Sequence, residues 1–310
     1  MKLVVLSGGT GTPKLIEGLL HIEEQFMVVA NTGDDWNFYG LHVSPDVDSV
    51  LFTLAGIIDP DKFWGIKGDT KFLVRGLKKF LGERVWFNLG DADTAISLFR
   101  TYLLKEGLKL SETTQEIARR LKIKQQVYPM AEDPVSTIVL TENGSMHLEE
   151  FWVREKGKPK VHDIKLQGIE SARVPKEIVD EIINADRVLI GPSNPISSIG
   201  PIIALPPIRE ALRKTSAYRI AISPFIGVAP VSGPAGVFMH ALGKETSFLG
   251  ILELYHDILD AMVIDRKDEQ SMKHSDSGVE VLSTNIVMKT LSDKICLAQE
   301  VTKHVPADQS

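Results

Sequence analysis

Leu3-Val4-Val5-Leu6-Ser7-Gly8-Gly9-Thr10-Gly11-Thr12-Pro13-Lys14 is the stretch from which the fold of this chain is read. Four apolar residues without alternation are the text of a parallel strand buried on both faces. After the glycines, Thr12 and Pro13 read as a helix N-cap and a proline at the first helical position. Leu15, Ile16, Leu19 and Leu20 recur at helical spacing, so this helix buries one stripe. A second apolar run, Met27-Val28-Val29-Ala30, ends in Asn31-Thr32-Gly33-Asp34-Asp35. Strand, glycine turn, helix and strand form the opening unit of an α/β fold with a Rossmann-like, doubly wound, mostly parallel sheet.

Residues 50–124 lose the strand text and read as short helices over 70–80, 93–106 and 111–121. The expected organisation is a helical insertion subdomain over 50–124 and a nucleotide-binding core over 1–49 and 125–310. Strand text returns at 126–130. Runs over 137–140 and 146–152 flank Asn143-Gly144, a hairpin expected to join the sheet. The lysine-rich stretch 154–165 reads as a loop. A helix is expected over 175–185, then strands over 187–190 and 219–222, a helix around 252–259 and a strand over 262–264. The tail after His304 reads as polar and frayed.

The chain has 310 residues, 43% hydrophobic and 25% charged, which is ordinary globular composition and excludes disorder over most of the length. A single cysteine, Cys296, excludes an intrachain disulfide and a cysteine metal cluster, as expected of a reducing compartment. The net charge of −6 argues against broad nucleic-acid or anionic-membrane binding. No apolar run approaches the roughly 20 residues that span a bilayer, and Leu3 to Leu6 is too short for a secretory signal core. A cytoplasmic protein is expected.

Several apolar strands end in loops rich in Gly, Ser, Thr, Asn or Asp, and in open α/β sheets such strand ends share one ligand-binding edge. The first loop has the properties of a phosphate cradle: Gly8, Gly9, Thr10, Gly11 and Thr12 offer backbone amides at a helix start, and Lys14 offers a full charge. It is not a Walker A loop. As a dinucleotide fingerprint it meets Lys14 where the third glycine belongs, and a tight turn without ligand remains an alternative. Gly191-Pro192-Ser193-Asn194-Pro195, with Ser197, presents hydroxyls and an amide from a second strand end, either to a ligand or as caps of the next helix. In Ser44-Pro45-Asp46-Val47-Asp48 the two carboxylates suit Mg2+ beside a diphosphate, or an acidic helix start. Asp34-Asp35 and Asp91 with Asp93 are further acidic pairs. The histidines show no zinc spacing, and no nucleophile elbow occurs.

Taken in order, these segments resemble the 2-phospho-L-lactate transferases, the CofD family. To the glycine loop and Ser44-Pro45-Asp46-Val47-Asp48 are added Trp64-Gly65-Ile66, Asp133-Pro134-Val135-Ser136-Thr137, Gly191-Pro192-Ser193-Asn194-Pro195 and Pro230-Val231-Ser232-Gly233-Pro234-Ala235-Gly236. The resemblance implies transfer of a phospholactyl or phosphoenolpyruvyl group from a guanosine diphosphate-linked donor to the ribityl hydroxyl of a deazaflavin. It implies GMP release, an Mg2+ cofactor and a homodimer. The glycine cradle, Asn31 and the Gly191, Ser193, Asn194 and Ser197 loop would then hold the nucleotide. Asp48 and Asp46 would bind metal or take the hydroxyl proton, and Asp48, Trp64 and Asp91 would face the deazaflavin. Ala92 departs from the family, which often has a basic residue there. Two other readings share the glycine loop: regulatory proteins of the superfamily that bind nucleotide sugars without transfer, and sugar nucleotidyltransferases, whose usual arginine is Pro13 here.

Overall fold

In the computed structural model, residues 1–23, 25–230, 233–274 and 278–304 are described. Val231, Ser232 and the tail beyond His304 lie outside them.

Seven strands form one sheet. In chain order they are β1 (Leu3–Ser7), β2 (Met27–Ala30), β3 (Gln126–Pro129), β4 (Arg187–Ile190), β5 (Tyr218–Ile222), β6 (Ala261–Asp265) and β7 (Glu280–Thr284). Across the sheet they run 3-2-1-4-5-6-7 and every pairing is parallel. The order reverses between β1 and β4, which places the switch point beside the glycine loop. β1 shows why its text is continuously apolar. Val4 and Leu6 enter the core on one face, with Ile178, Ile199 and Ile208, while Leu3 and Val5 enter the other, with Leu15, Val50 and Leu297. The two-residue side-chain period sends alternate residues to opposite faces, so a strand covered on both sides needs apolar residues throughout.

The first helix, α1 (Gly11–Leu19), starts two residues earlier than expected. Thr12 therefore lies inside it, and its hydroxyl turns to Ser193 Oγ at 2.7 Å rather than capping the helix. Between β2 and β3 come a small antiparallel pair, Trp36–Phe38 with Leu41–Val43, then α2 (Pro45–Leu54), α3 (Phe72–Leu81), α4 (Asp91–Lys105) and α5 (Leu110–Arg120). Phe38, Val43, Val74, Val85 and Leu89 make a separate apolar cluster there, joined by Trp36, Trp86 and Phe87.

The expected hairpin forms, with Gly144 at φ 106°, but it does not join the main sheet. Ser136–Thr141 and Gly144–His147 pair with Val161–Gln167 in a separate antiparallel sheet. Ser136–Thr141 alternates buried and half-buried residues, which suits one covered face; the central sheet requires two. The stretch expected to be a lysine-rich loop thus contains an edge strand, whose charges are those that protect an edge from further pairing. The strand expected to reach Trp152 ends at His147, and Glu150–Arg154 forms a π-helical turn.

Candidate active site at the switch point

A cavity of about 470 Å³ opens over the carboxyl ends of β1 and β4. Gly9, Thr10 and Gly11 line one side with Ser193, Asn194, Ser197 and Ser198, so the two predicted loops meet. They are interlocked. A Cβ on Gly11 would lie 1.9 Å from the Pro192 carbonyl oxygen, and one on Gly191 would lie 2.1 Å from Thr12 Oγ1. Ser193 Oγ also accepts from the Thr12 amide at 3.3 Å. Asn194 Oδ1 accepts from the Ile196 and Ser197 amides, which leaves its Nδ2 a buried donor without a partner among the described residues.

Carboxyl groups stand directly against these loops: a Cβ on Gly9 would lie 3.2 Å from Asp46 Oδ1. Asp46 lines the cavity and is held by Asn31, whose Nδ2 donates to Asp46 Oδ2 at 2.9 Å and to the Ser197 carbonyl at 3.2 Å. Asp34 and Glu149 line it too, and Asp34 Oδ1 has no partner among the described residues. Burial pushes the Asp46 carboxyl up to about 7, against the opposing bond from Asn31. Burial and then the Asp46 charge push Glu149 up to about 8, and Asp34 rises for the same two reasons. No three acidic or histidine side chains converge tightly enough to hold a metal alone among the described residues. Mg2+ does not require that, since it keeps waters and takes one or two carboxylates together with substrate phosphates. Asp34 and Asp46, both lining a cavity edged with amide donors, fit such an ion.

The remaining wall is aromatic: Trp64, Phe87 and Trp152, with Lys71 as the single basic residue among those lining the cavity. Phe87, Trp152, Lys71 and Glu149 are not among the site residues expected from sequence. Asp34 carried a signal as one of an acidic pair after a strand. Glu149 and Trp152 carried none, because they arrive from the accessory sheet.

Several expected residues stand behind the cavity surface. Gly8 packs on Ser198, and Gly191 on Thr12. Asn31 acts through Asp46. Lys14 points away: its ammonium lies 5.3 Å from the Phe63 ring centroid, and burial, then repulsion from Lys294, lower its pKa. Asp48 is buried in an ion pair with the fully buried Arg100 and does not line the cavity. Asp91 accepts from the Phe72 and Leu73 amides and from Thr70, and so caps α3, whose preceding residue Lys71 reaches the cavity rim.

Because Asp46 and Glu149, and also Asp93 at about 7, bind protons more tightly folded than the roughly 4 of free carboxyls, their contribution to stability is full at low pH. It is lost as pH rises through 7 to 8. Thermal unfolding without ligand is expected to fall by about 5 °C or more between pH 6 and pH 9; a flat or rising midpoint would refute the buried acid cluster.

A wholly parallel sheet with this strand order and a polar cavity at its reversal defines a Rossmann-like α/β protein with its ligand site at the strand ends. The sequence model described as 2-phospho-L-lactate transferase CofD matches residues 3–296, and the chain belongs to that family. It is 47% identical to the 2-phospho-L-lactate transferase of Methanopyrus kandleri, with 98% of each chain covered. With that of Methanococcoides burtonii it shares 43% identity, over 96% of this chain and 98% of the relative. A crystal structure of a UPF0052 family member from Bacillus halodurans superposes with a TM-score of 0.68 at 16% identity, covering 97% of this chain and 98% of that one, and shares the fold. The family and the relatives' names support an enzyme with 2-phospho-L-lactate transferase activity. No helix among the described residues is long and apolar enough to cross a membrane.

Proposed function

We propose that the chain transfers a phospholactyl or phosphoenolpyruvyl group from a guanosine diphosphate-linked donor to the ribityl hydroxyl of a deazaflavin and releases GMP. It would do so in the cytoplasm, as a homodimer. The observation that carries this reading is the cavity itself, amide donors and carboxyl groups gathered at the switch point of a chain that matches the transferase family from residue 3 to 296. Gly9, Thr10 and Gly11, with Ser193, Asn194 and Ser197, hold the diphosphate through backbone and side-chain donors at a helix start. Asp46, together with Asp34, would hold Mg2+, which neutralises phosphate charge when bound. Trp64, Phe87 and Trp152 offer flat faces to the deazaflavin ring.

The acceptor hydroxyl oxygen bonds to the phosphorus that carries the acid, the bond from that phosphorus to the GMP oxygen breaks, and the hydroxyl proton passes to a carboxylate. Glu149, one of the carboxyl groups lining the cavity, would take it in its ionised form, in which a pKa raised to about 8 makes it a stronger base than a free carboxylate. Asp48, paired with Arg100, instead fixes α2 against α4 behind Asp46. Such chemistry asks the protein mainly for positioning and charge neutralisation.

Calorimetric titration with the deazaflavin, GDP and a UDP-sugar, each with Mg2+, tests this. Deazaflavin binding and a preference for GDP are expected. Tight UDP-sugar binding without deazaflavin binding would move the chain to the regulatory, non-catalytic class.

A further inference from the structure

Three aromatic side chains wall the cavity at the switch point, and they are not held alike. Trp64 and Trp152 stand open to solvent, 53% and 43% exposed. Phe87 is half-buried and stacked on Phe38, with ring centroids 3.9 Å apart and planes 10° from parallel. Trp86 stands edge-on to both rings, 5.2 Å from Phe38 and 5.9 Å from Phe87 between centroids. Phe38 is buried and does not line the cavity, so the stack ends at Phe87. One face of the Phe87 ring is covered by protein, and the residue borders the cavity on its remaining side.

The backbone of Phe87 is held as closely as its ring. It lies in the stretch 85–90, outside helix and strand. Its amide donates to the Tyr39 hydroxyl at 3.2 Å, and that hydroxyl donates to the Phe87 carbonyl at 3.3 Å. One phenol thus satisfies both backbone groups, as a donor and as an acceptor. Burial raises the Tyr39 pKa against the opposing bonds to Phe87 and Trp86, so the proton it donates stays on the oxygen.

Tyr39 reaches Phe87 from an uncommon conformation. With Gly40 it forms the two-residue loop between Trp36–Phe38 and Leu41–Val43, at φ 55° and 85°. Such a loop favours Asn-Gly, and a tyrosine in the left-handed region is strained. Strain of this kind persists where the surroundings impose it, and here both partners of the hydroxyl belong to a residue that lines the cavity. A flat ligand gains most from a surface that does not have to be ordered first, and Phe87 is that surface among the three.

We propose, on the transferase reading above, that the ring of the deazaflavin acceptor stacks on Phe87 as a third layer over Phe38, and that Tyr39 is the positioning residue that holds Phe87 in place.

Tyr39→Phe removes one oxygen and leaves the ring, and Phe87→Leu keeps bulk without a flat face. Calorimetric titration of each variant with the deazaflavin and with GDP, both with Mg2+, tests the assignment. Tyr39→Phe is expected to weaken the deazaflavin at least about fivefold and Phe87→Leu at least about tenfold, while GDP changes less than about twofold in either. The double variant is expected to bind the deazaflavin within about twofold of Phe87→Leu alone, because without the flat ring the hydroxyl has nothing left to position. Equal loss of GDP affinity, losses that multiply in the double variant, or unchanged deazaflavin binding to Tyr39→Phe would overturn the assignment and leave the transferase reading standing. So would a Tyr39→Phe chain that no longer folds, since the hydroxyl would then hold the whole insertion together rather than set one wall. Absence of deazaflavin binding to the unmodified chain would overturn both.

Discussion

Arg100→Met is expected to cost about 3–5 kcal/mol of unfolding free energy, the loss that follows when one member of a buried ion pair is removed. Arg100 is fully buried in α4, and its two terminal nitrogens grip the two oxygens of Asp48 in α2. Burial raises the Asp48 carboxyl and Arg100 opposes that shift; the Asp48 charge in turn holds Arg100 above its usual range despite burial. Methionine fills much of the space but leaves Asp48 as a buried charge without a counter-ion, and Asp93 nearby loses the same cation. Asp48→Leu combined with Arg100→Met is expected to recover most of the loss, since a well-packed apolar pair often replaces a buried ionic one at little cost. Urea unfolding measures both. A loss below about 1 kcal/mol for the single variant would show that the pair does not hold α2 to α4.

Gly11→Ala is expected to weaken GDP binding at least about a hundredfold, while Gly9→Ala weakens it less than about tenfold. The first Cβ would meet backbone, the Pro192 carbonyl oxygen at 1.9 Å, and backbone cannot rotate aside, so the two loops must separate. The second would meet Asp46 Oδ1 at 3.2 Å, a side-chain atom that can give by a few tenths of an ångström. Calorimetry with GDP on both variants reads the contrast. Gly11→Ala binding GDP as tightly as the unmodified chain would mean that the interlocked loops are not the diphosphate cradle.

The residues legible in advance were those whose neighbours in sequence are also their neighbours in space. Gly9 to Gly11 sit at the end of a strand whose burial on both faces is written in its own residues, and Ser193 to Ser197 follow a second such strand. The two loops were expected to converge because parallel strands share one edge, and they do. The pairing of Asp48 with Arg100 is not legible in the sequence, because the two lie 52 positions apart and pattern alone does not orient the helix that carries Arg100. Glu149 and Trp152 were not found, because the sheet that delivers them was expected to extend the central one. The stretch 154–165 reads as loop although the strand Val161–Gln167 begins within it, because an edge strand rich in His, Asp and Lys has the composition of a loop.

The contact between Thr12 and Ser193 spans 181 positions of the chain and forms beside the pairing of β1 with β4. A cradle shared in this way has no local precursor. During folding neither loop has the shape that the other imposes on it until the middle of the sheet has closed, and closure over so long a separation is a late, entropically expensive event. Nucleotide affinity therefore gauges completed assembly: a chain stalled before β4 docks holds all of the amides of the first loop and none of the site. A ligand captured there stabilises the finished sheet alone, by mass action, and draws late intermediates forward.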